Sequence, residues 1–460
     1  MAVVIGIGRD GSERRLNVIL ICCCLLLVLL LSGCGGSKVE GLYVAHTADG
    51  VQIKMRRYRP SPDADYSAGT PVVLFPGITL NNNQFHIYSP PWLNSYHYRL
   101  PEDAPDWAQN DPVIQEDNLK LFSLAHYLYR QGYDVWMPTY RGVGKGGYDS
   151  EHGHANTNLD VWCALDVPAA IEKVIAVTGK KPIIGGHSTG GLCSYLYLQG
   201  VTMDAAVVAA GEYLPHVTSS EALALQRNQQ VLGFLGLDPA GIPFYPYSQL
   251  LDNENTFASL GRDALVDLDA SLPWVMSVLP PIIVSGALDL TFKTITALAD
   301  AFPKWLPDWA NLFGGIDFWH TANMNGYVED FHARMVISSF YMGVTAQYSD
   351  WAINGVFREH WQNGAENVDL VMPPDRVPED GYYYYSDNMS RMTVPAFSVF
   401  SDSSALVDTD TMVGLLYESK TAHPLDDWIE VPGTAHIDVV NGNQAPTVSF
   451  PAIAEWLNSL

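Results

Sequence analysis

Basic residues are scarce in this sequence, in which 25 Lys and Arg stand against 50 Asp and Glu and give a formal net charge of −25. A protein that binds nucleic acid needs a positively charged surface to neutralise phosphates. The charge balance therefore argues against a nucleic-acid partner. It indicates instead an acidic protein surface, which makes copies of the protein repel one another.

Long hydrophobic runs are also lacking, with the exception of Val18–Leu31 near the N-terminus. This run is shorter than the roughly 20 residues of a membrane-spanning helix, and arginines precede it, as in an export signal. Residues 31–34 (LSGC) resemble a bacterial lipobox, which implies cleavage before Cys34 and attachment of lipid to its sulfur. We therefore predict a lipoprotein signal peptide at 1–33, a tether at 34–41 and an exported protein, anchored by lipid to a membrane surface of the bacterial cell envelope.

Cysteines are few, and most of the six fall in or next to the predicted signal peptide, which leaves Cys163 and Cys193 in the remaining chain. In an exported protein these two residues could form a disulfide, but they could equally be buried thiols of two helices. The histidines and carboxylates show no cluster with metal-ligand spacing. The sequence thus predicts neither a metal nor a cofactor.

The pentapeptide GHSTG at residues 186–190 follows a short apolar run and precedes a helical pattern. A G-x-S-x-G between a strand and a helix is typical of a nucleophile elbow, in which the serine occupies a sharp, strained turn. Glycines on either side are needed because strand and helix approach closely at such a turn. This motif makes Ser188 the predicted nucleophile.

Strands alternate with helices on both sides of this motif. Buried strands are predicted at 71–77, 133–138, 182–187, 205–210, 394–400 and 427–431, a hairpin at 42–59, and helices at 119–131, 159–177, 410–419 and 450–459. This alternation predicts a mostly parallel central sheet with helices on both faces. The alternation stops in the aromatic-rich segment 213–392, with helical stretches at 291–302 and 329–342. We predict that 213–392 is a large, mainly helical cap inserted between core segments 42–212 and 393–460.

Four stretches of the core, FPGI, YDVWMPTYRGVG, GHSTGG and PGTAHIDVV, resemble the α/β-hydrolase superfamily, and within it acid lipases and steryl ester hydrolases. The resemblance covers roughly residues 42–213 and 393–460. It implies the α/β-hydrolase fold and hydrolysis of carboxylic esters by a serine, an acid and a histidine in that chain order. Two positions depart from the family pattern: Pro76 stands where a histidine is usual, and Ser404 stands at the acid position.

His436 is the predicted catalytic base, because it follows the last predicted strand on a short loop, as this fold requires. The acid is less well defined. Asp402 lies at the end of the 394–400 strand and is the first choice, Asp408 lies one turn later, and Glu212 follows the predicted 205–210 strand. The order of preference is Asp402, Asp408 and Glu212.

The oxyanion hole of this fold consists of two backbone N–H groups, which here are predicted to be those of Ile78 and Thr189. The expected substrate is a small-molecule or lipid ester, and lipid on Cys34 would hold the protein at the membrane. A lipase or carboxylesterase is the leading prediction. A peptidase or thioesterase of the same fold and a non-catalytic surface-binding lipoprotein remain alternatives.

Overall fold

The computed structural model describes residues 41–59, 69–90, 98–211, 214–242, 265–266, 323–360, 382–404 and 406–460. The chain divides into two compact units, residues 1–40 and residues 41–460, and all the described residues belong to the second. The predicted signal peptide, Cys34 and the helix predicted at 291–302 lie outside the described residues. Within those residues, no helix combines the length and the apolar character needed to cross a membrane.

Eight strands form the central sheet, and four two-residue strands form two small ladders. The central strands are β1 (Leu42–His46), β2 (Gln52–Arg57), β3 (Pro71–Phe75), β4 (Asp134–Pro138), β5 (Ile183–His187), β8 (Gly233–Leu237), β11 (Ala396–Ser401) and β12 (Asp427–Val431). The short strands are β6 (Val201–Thr202) with β7 (Thr218–Ser219), and β9 (Leu265–Val266) with β10 (Phe340–Tyr341).

The central sheet has the order β1-β2-β4-β3-β5-β8-β11-β12. The predicted hairpin forms β1 and β2, which pair antiparallel, and β2 pairs antiparallel with β4. From β4 to β12 all neighbours are parallel. Parallel strands need crossover connections, and these are the helices that the alternating sequence predicts.

The inner strands β3, β4, β5, β8 and β11 are buried on both faces, which explains why their sequences are mostly apolar. In β3, Val73 and Phe75 pack into the core on one face, and Val72 and Leu74 pack into the core on the other. This alternation follows from the two-residue period of an extended chain. The central strands are therefore held rigidly from both sides.

The helices cover the two faces and connect the strands. They are α1 (Asp106–Gln109), α2 (Pro112–Glu116), α3 (Leu124–Arg130), α4 (Leu159–Val161), α5 (Val167–Thr178), α6 (Thr189–Leu198), α7 (Ala205–Ala210), α8 (Glu221–Gln230), α9 (Gly326–Phe331), α10 (Met342–Asn354), α11 (Thr409–Val413), α12 (Asp438–Asn441) and α13 (Phe450–Leu457). Single π-helical turns occupy Trp162–Asp166, His332–Val336, Gly414–Glu418 and Ala445–Ser449, and 3₁₀ turns occupy Asn82–Phe85, Asn118–Phe122 and Ser386–Arg391.

The strand predicted at 205–210 is wrong, because this segment forms helix α7. The side chain of Asp204 caps the helix by accepting hydrogen bonds from Ala206 N and Val207 N, and Gly211 ends it in the left-handed conformation with φ 74°. A six-residue apolar run does not by itself distinguish a strand from a helix. The flanking Asp and Gly are helix-capping signals, and they decide the outcome here.

The true strand in this part of the chain is β8, which lies inside the predicted cap. It pairs with β5 on one side and with β11 on the other. The first core segment therefore extends beyond residue 212, to at least Leu237. Two glycines make this strand hard to predict from the sequence, because glycine is uncommon in strands. One of them, Gly236, lies where a Cβ would be 2.6 Å from Ser398 Oγ.

A buried carboxylate fastens later parts of the predicted cap to the core. Asp160 accepts hydrogen bonds from the Tyr385 hydroxyl (2.6 Å), from His360 N (2.7 Å) and from Gln347 Nε2. Burial, followed by the negative charge of Glu359, raises the pKa of Asp160 to about 7. The folded protein thus holds this proton more tightly than the unfolded chain does.

Candidate active site

Ser188 occupies a strained turn between β5 and α6. Its backbone has φ 53° and ψ −121°, a combination that L-residues rarely adopt. The flanking glycines are explained by the backbone of β3, since a Cβ at Gly186 or Gly190 would lie 2.1 or 2.0 Å from Phe75 O. The sequence therefore forms a sharp strand-to-helix turn, as the G-x-S-x-G pattern predicts.

The turn is held by the end of β8. Ser188 N donates to Leu237 O at 3.0 Å, and Ala240 N donates to Ser188 O at 3.0 Å. These two backbone bonds place the residues that follow β8 directly beside the serine. One of them is Asp238.

Asp238 is the carboxylate that contacts His436. The distance from His436 Nδ1 to Asp238 Oδ2 is 2.6 Å, and both side chains are buried. The Ser401 backbone N–H and hydroxyl each donate to the same carboxylate at 3.0 Å. Three donors converge on this carboxylate, and these bonds fix its orientation.

Of the three acids predicted from the sequence, the two that the structure describes, Asp402 and Asp408, do not contact His436 in this way. Asp402 accepts hydrogen bonds from Gly433 N (2.9 Å) and Thr434 N (3.2 Å), so it braces the loop that carries the histidine. Asp408 is the N-terminal cap of α11. Glu212 lies outside the described residues. The expectation that Asp402 orients His436 is thus corrected to Asp238.

Ser404, at the family's usual acid position, does lie near the base. Its Oγ is 3.5 Å from His436 Nδ1 and also accepts hydrogen bonds from Leu406 N (3.3 Å) and Val407 N (3.1 Å). Ser404 therefore lies beside the imidazole of His436. The carboxylate that contacts His436, however, is that of Asp238, which directly follows β8.

The sequence contains a signal for Asp238 that its assignment to the cap obscured. The residue directly follows the apolar end of β8, and its number lies between those of Ser188 and His436, as the fold requires. Asp238 also has a left-handed backbone with φ 43°. Aspartate tolerates this conformation better than most residues with a side chain.

Of the two predicted oxyanion donors, Ile78 lies in the turn that follows β3, and Thr189 begins α6 directly after Ser188. No acceptor for Ile78 N or Thr189 N is present among the described residues. Gly77 precedes Ile78 at a point where a Cβ would lie 3.0 Å from His187 Nδ1 and 3.3 Å from Ser188 Cβ. Both amides therefore remain able to donate to a substrate oxygen.

Thr189, the residue that follows Ser188, also contacts α10. Thr189 Oγ1 and the Tyr348 hydroxyl are 2.9 Å apart, and both side chains are buried.

The two remaining cysteines, Cys163 and Cys193, are free and buried. Burial, together with the neighbouring Cys193, raises the pKa of the Cys163 thiol well above its usual value. The thiol is therefore inaccessible and protonated, and neither condition favours reaction as a nucleophile.

Comparison with known proteins finds one family over part of the chain and several solved structures at low identity. Residues 115–277 match the family described as "Serine aminopeptidase, S33", which is about a third of the chain. No curated protein matches the sequence. Solved structures similar to the chain include a thermophilic esterase from Thermogutta terrifontis (14% identity, 91% of this chain and 98% of that chain covered, TM-score 0.44) and a monoacylglycerol lipase from Paleococcus ferrophilus (14% identity, 85% and 96% covered, TM-score 0.40).

These similarities are too distant to indicate a substrate. The sheet order, the crossover helices and the strained serine after β5 define the fold independently of them. The family matched by residues 115–277 is one of hydrolases. The chain has the α/β-hydrolase fold, with a mostly parallel central sheet flanked by helices.

Proposed function

We propose that the protein is a serine hydrolase that cleaves carboxylic esters through Ser188, His436 and Asp238. The observation that carries this proposal is the 2.6 Å contact between His436 Nδ1 and Asp238 Oδ2, since Asp238 lies in the segment whose backbone bonds to the strained Ser188. A carboxylate at this position keeps the proton on Nδ1. Nε2 is then free to accept the proton of the serine hydroxyl.

The reaction follows from these roles in two halves. Ser188 Oγ attacks the ester carbonyl carbon while His436 Nε2 takes its proton, and Asp238 stabilises the imidazolium that forms. The negative oxygen of the tetrahedral intermediate accepts hydrogen bonds from Ile78 N and Thr189 N. The intermediate collapses, the alcohol leaves with the proton from His436, and Ser188 keeps the acyl group. Water then repeats the sequence and releases the carboxylic acid.

The decisive variant is Ser188→Ala. We expect it to lower kcat for p-nitrophenyl esters by about 10⁶-fold and to abolish labelling by a fluorophosphonate probe, because no acyl-enzyme can form. Ser459→Ala is the matched control, since Ser459 is an exposed residue near the end of the chain whose hydroxyl donates to the nearby Trp456 O. A Ser188→Ala protein that hydrolyses esters at the control's rate would contradict the proposal.

An amide substrate is the second candidate, because residues 115–277 match a family described as serine aminopeptidases. The same three residues can hydrolyse esters, thioesters and amides. Parallel assays with p-nitrophenyl esters and amino-acid p-nitroanilides distinguish these activities. A higher kcat/KM for the anilides would replace the esterase assignment. Failure of fluorophosphonate to label the folded protein would favour the non-catalytic alternative.

Attachment to a membrane through Cys34 remains part of the proposal, supported by the signal-like run and the LSGC sequence. We expect cells that express the chain to incorporate labelled palmitate into it. Cys34→Ala should remove the label and release the protein from the membrane fraction. Equal labelling of both proteins would overturn this localisation.

A further inference from the structure

The side chain of His187, the residue before Ser188, contacts the loop that carries His436 and faces the loop that carries Gly77 and Ile78. Its Nε2 lies 2.8 Å from the backbone oxygen of His436, and the two imidazole rings are 4.6 Å apart. Its Nδ1 faces Gly77, where a Cβ would lie 3.0 Å from it. The turn carrying the nucleophile, the loop of the base and the oxyanion loop therefore meet at this buried ring.

The chemistry of this contact fixes the state of His187. Burial, with smaller contributions from His436 and His332, lowers the pKa of His187 well below its usual value, so the ring is neutral. A carbonyl oxygen can only accept a hydrogen bond, so Nε2 carries the single ring proton. Within the described part of the chain, Nδ1 has no partner. The bond to His436 O is thus the specific contact of this side chain.

That bond acts on the base through its own peptide unit. Two other side chains hold the preceding part of the loop: Asp402 accepts from Gly433 N and Thr434 N, and Asp438 accepts from Ala435 N at 2.9 Å. His187 holds the next residue, which is His436 itself. The base is therefore fixed on one side by Asp238 at its ring and on the other by His187 at its backbone.

The geometry points to His187 as a positioning residue that sets the distance between His436 and Ser188. This inference rests on the proposed function. His187 does not touch the reacting atoms, and its effect passes through the backbone of His436. Because a misplacement of about 1 Å in a catalytic group can lower the rate by about 10²-fold, the bond is expected to influence kcat rather than substrate binding.

The test compares variants that differ in one donor. His187→Gln places an amide N–H near the position of Nε2, whereas His187→Met fills similar space without a donor. We expect His187→Met to lower kcat by about 10²-fold with little change in KM, and His187→Gln to restore most of the loss. His187→Asn has a donor that is too short to reach His436 O, and we expect it to behave like His187→Met. Equal kcat values for the Gln, Met and Asn variants would overturn the inference.

A second measurement does not depend on activity. NMR of the full chain labelled with ¹⁵N-histidine reports the protonation of each ring, and the His187→Gln spectrum identifies the His187 signal. We expect a neutral Nε2–H tautomer that does not titrate between about pH 5 and pH 9. A titrating ring or an Nδ1–H tautomer would refute the contact. If the chain cleaves no ester at all, the proposed function fails, while this spectrum still tests the bond.

Discussion

Replacing Asp238 by Asn tests the assignment of the acid most directly, because the structure predicts which atom of the amide will face His436. Ser401 N donates to Oδ1 of Asp238, so the amide oxygen is expected to keep that position. The amide nitrogen then occupies the position of Oδ2 and donates to His436 Nδ1. The ring is forced to carry its proton on Nε2, where it cannot accept the proton of Ser188.

The expected loss in kcat is about 10⁴-fold, or about 5.5 kcal/mol of transition-state stabilisation, since each factor of ten corresponds to about 1.36 kcal/mol. Initial rates with a p-nitrophenyl ester measure it, and thermal unfolding confirms that the variant is folded. Asp402→Asn and Asp408→Asn are matched controls because each keeps an oxygen that can accept its backbone N–H bonds. A loss of about 10⁴-fold in Asp402→Asn, with Asp238→Asn unaffected, would refute the reasoning.

A double substitution extends this test to the family's usual acid position. Ser404 Oγ is 3.5 Å from His436 Nδ1, and an aspartate reaches one bond further than a serine. We expect Asp238→Ser combined with Ser404→Asp to be more active than Asp238→Ser alone. The comparison of kcat between these two proteins measures whether a carboxylate at residue 404 can orient His436 in place of the one at residue 238. Equal rates would show that only the carboxylate after β8 can orient it.

Two further predictions concern stability. Tyr348→Phe and Thr189→Val each remove the hydrogen bond between the two hydroxyls, and each should lower the free energy of unfolding by about 1 kcal/mol. The double variant should lose less than the sum of the two single losses. Additive losses in urea unfolding would contradict this coupling. Asp160 has a folded-state pKa of about 7, above its unfolded value, so its contribution to stability falls as pH rises from about 4 to about 7. The difference in unfolding free energy between the native protein and Asp160→Asn should fall by up to about 4 kcal/mol across this range, and a constant or rising difference would argue against the shift.

The sequence predicts well those features that depend on residues close to one another in the chain. The hairpin, the parallel strands and the α/β-hydrolase fold are confirmed, because apolar runs, turn residues and the elbow pattern each act over a few residues. His436 is identifiable because it closely follows β12. The segment 205–210 shows the limit of this approach, because its apolar character suits both a strand and a helix and only the capping residues distinguish them.

The partner of His436 could not be chosen in the same way. Asp402, Asp408 and Asp238 all follow strands or turns, and sequence spacing does not tell which carboxylate reaches the imidazole. The choice depends on where the pairing of β8 with β11 ends, since Asp238 N bonds to Val399 O directly after the last residue pair of these two strands. Contacts between residues about 200 positions apart, such as 238 and 436, are products of tertiary packing.

Backbone strain marks the same region independently of the side chains. Among the described residues with a side chain, three have positive φ: Thr79 at 61°, Ser188 at 53° and Asp238 at 43°. They follow β3, β5 and β8, which are adjacent in the sheet and parallel, so their carboxyl ends meet at one edge. Each such conformation costs roughly 1–3 kcal/mol and persists only where the surrounding structure enforces it. The three strained turns each present a different group of the proposed site at that edge, namely the Ile78 amide next to Thr79, the Ser188 hydroxyl and the Asp238 carboxylate. Their concentration at a single edge is therefore expected of a site in which catalytic geometry is maintained at the expense of stability.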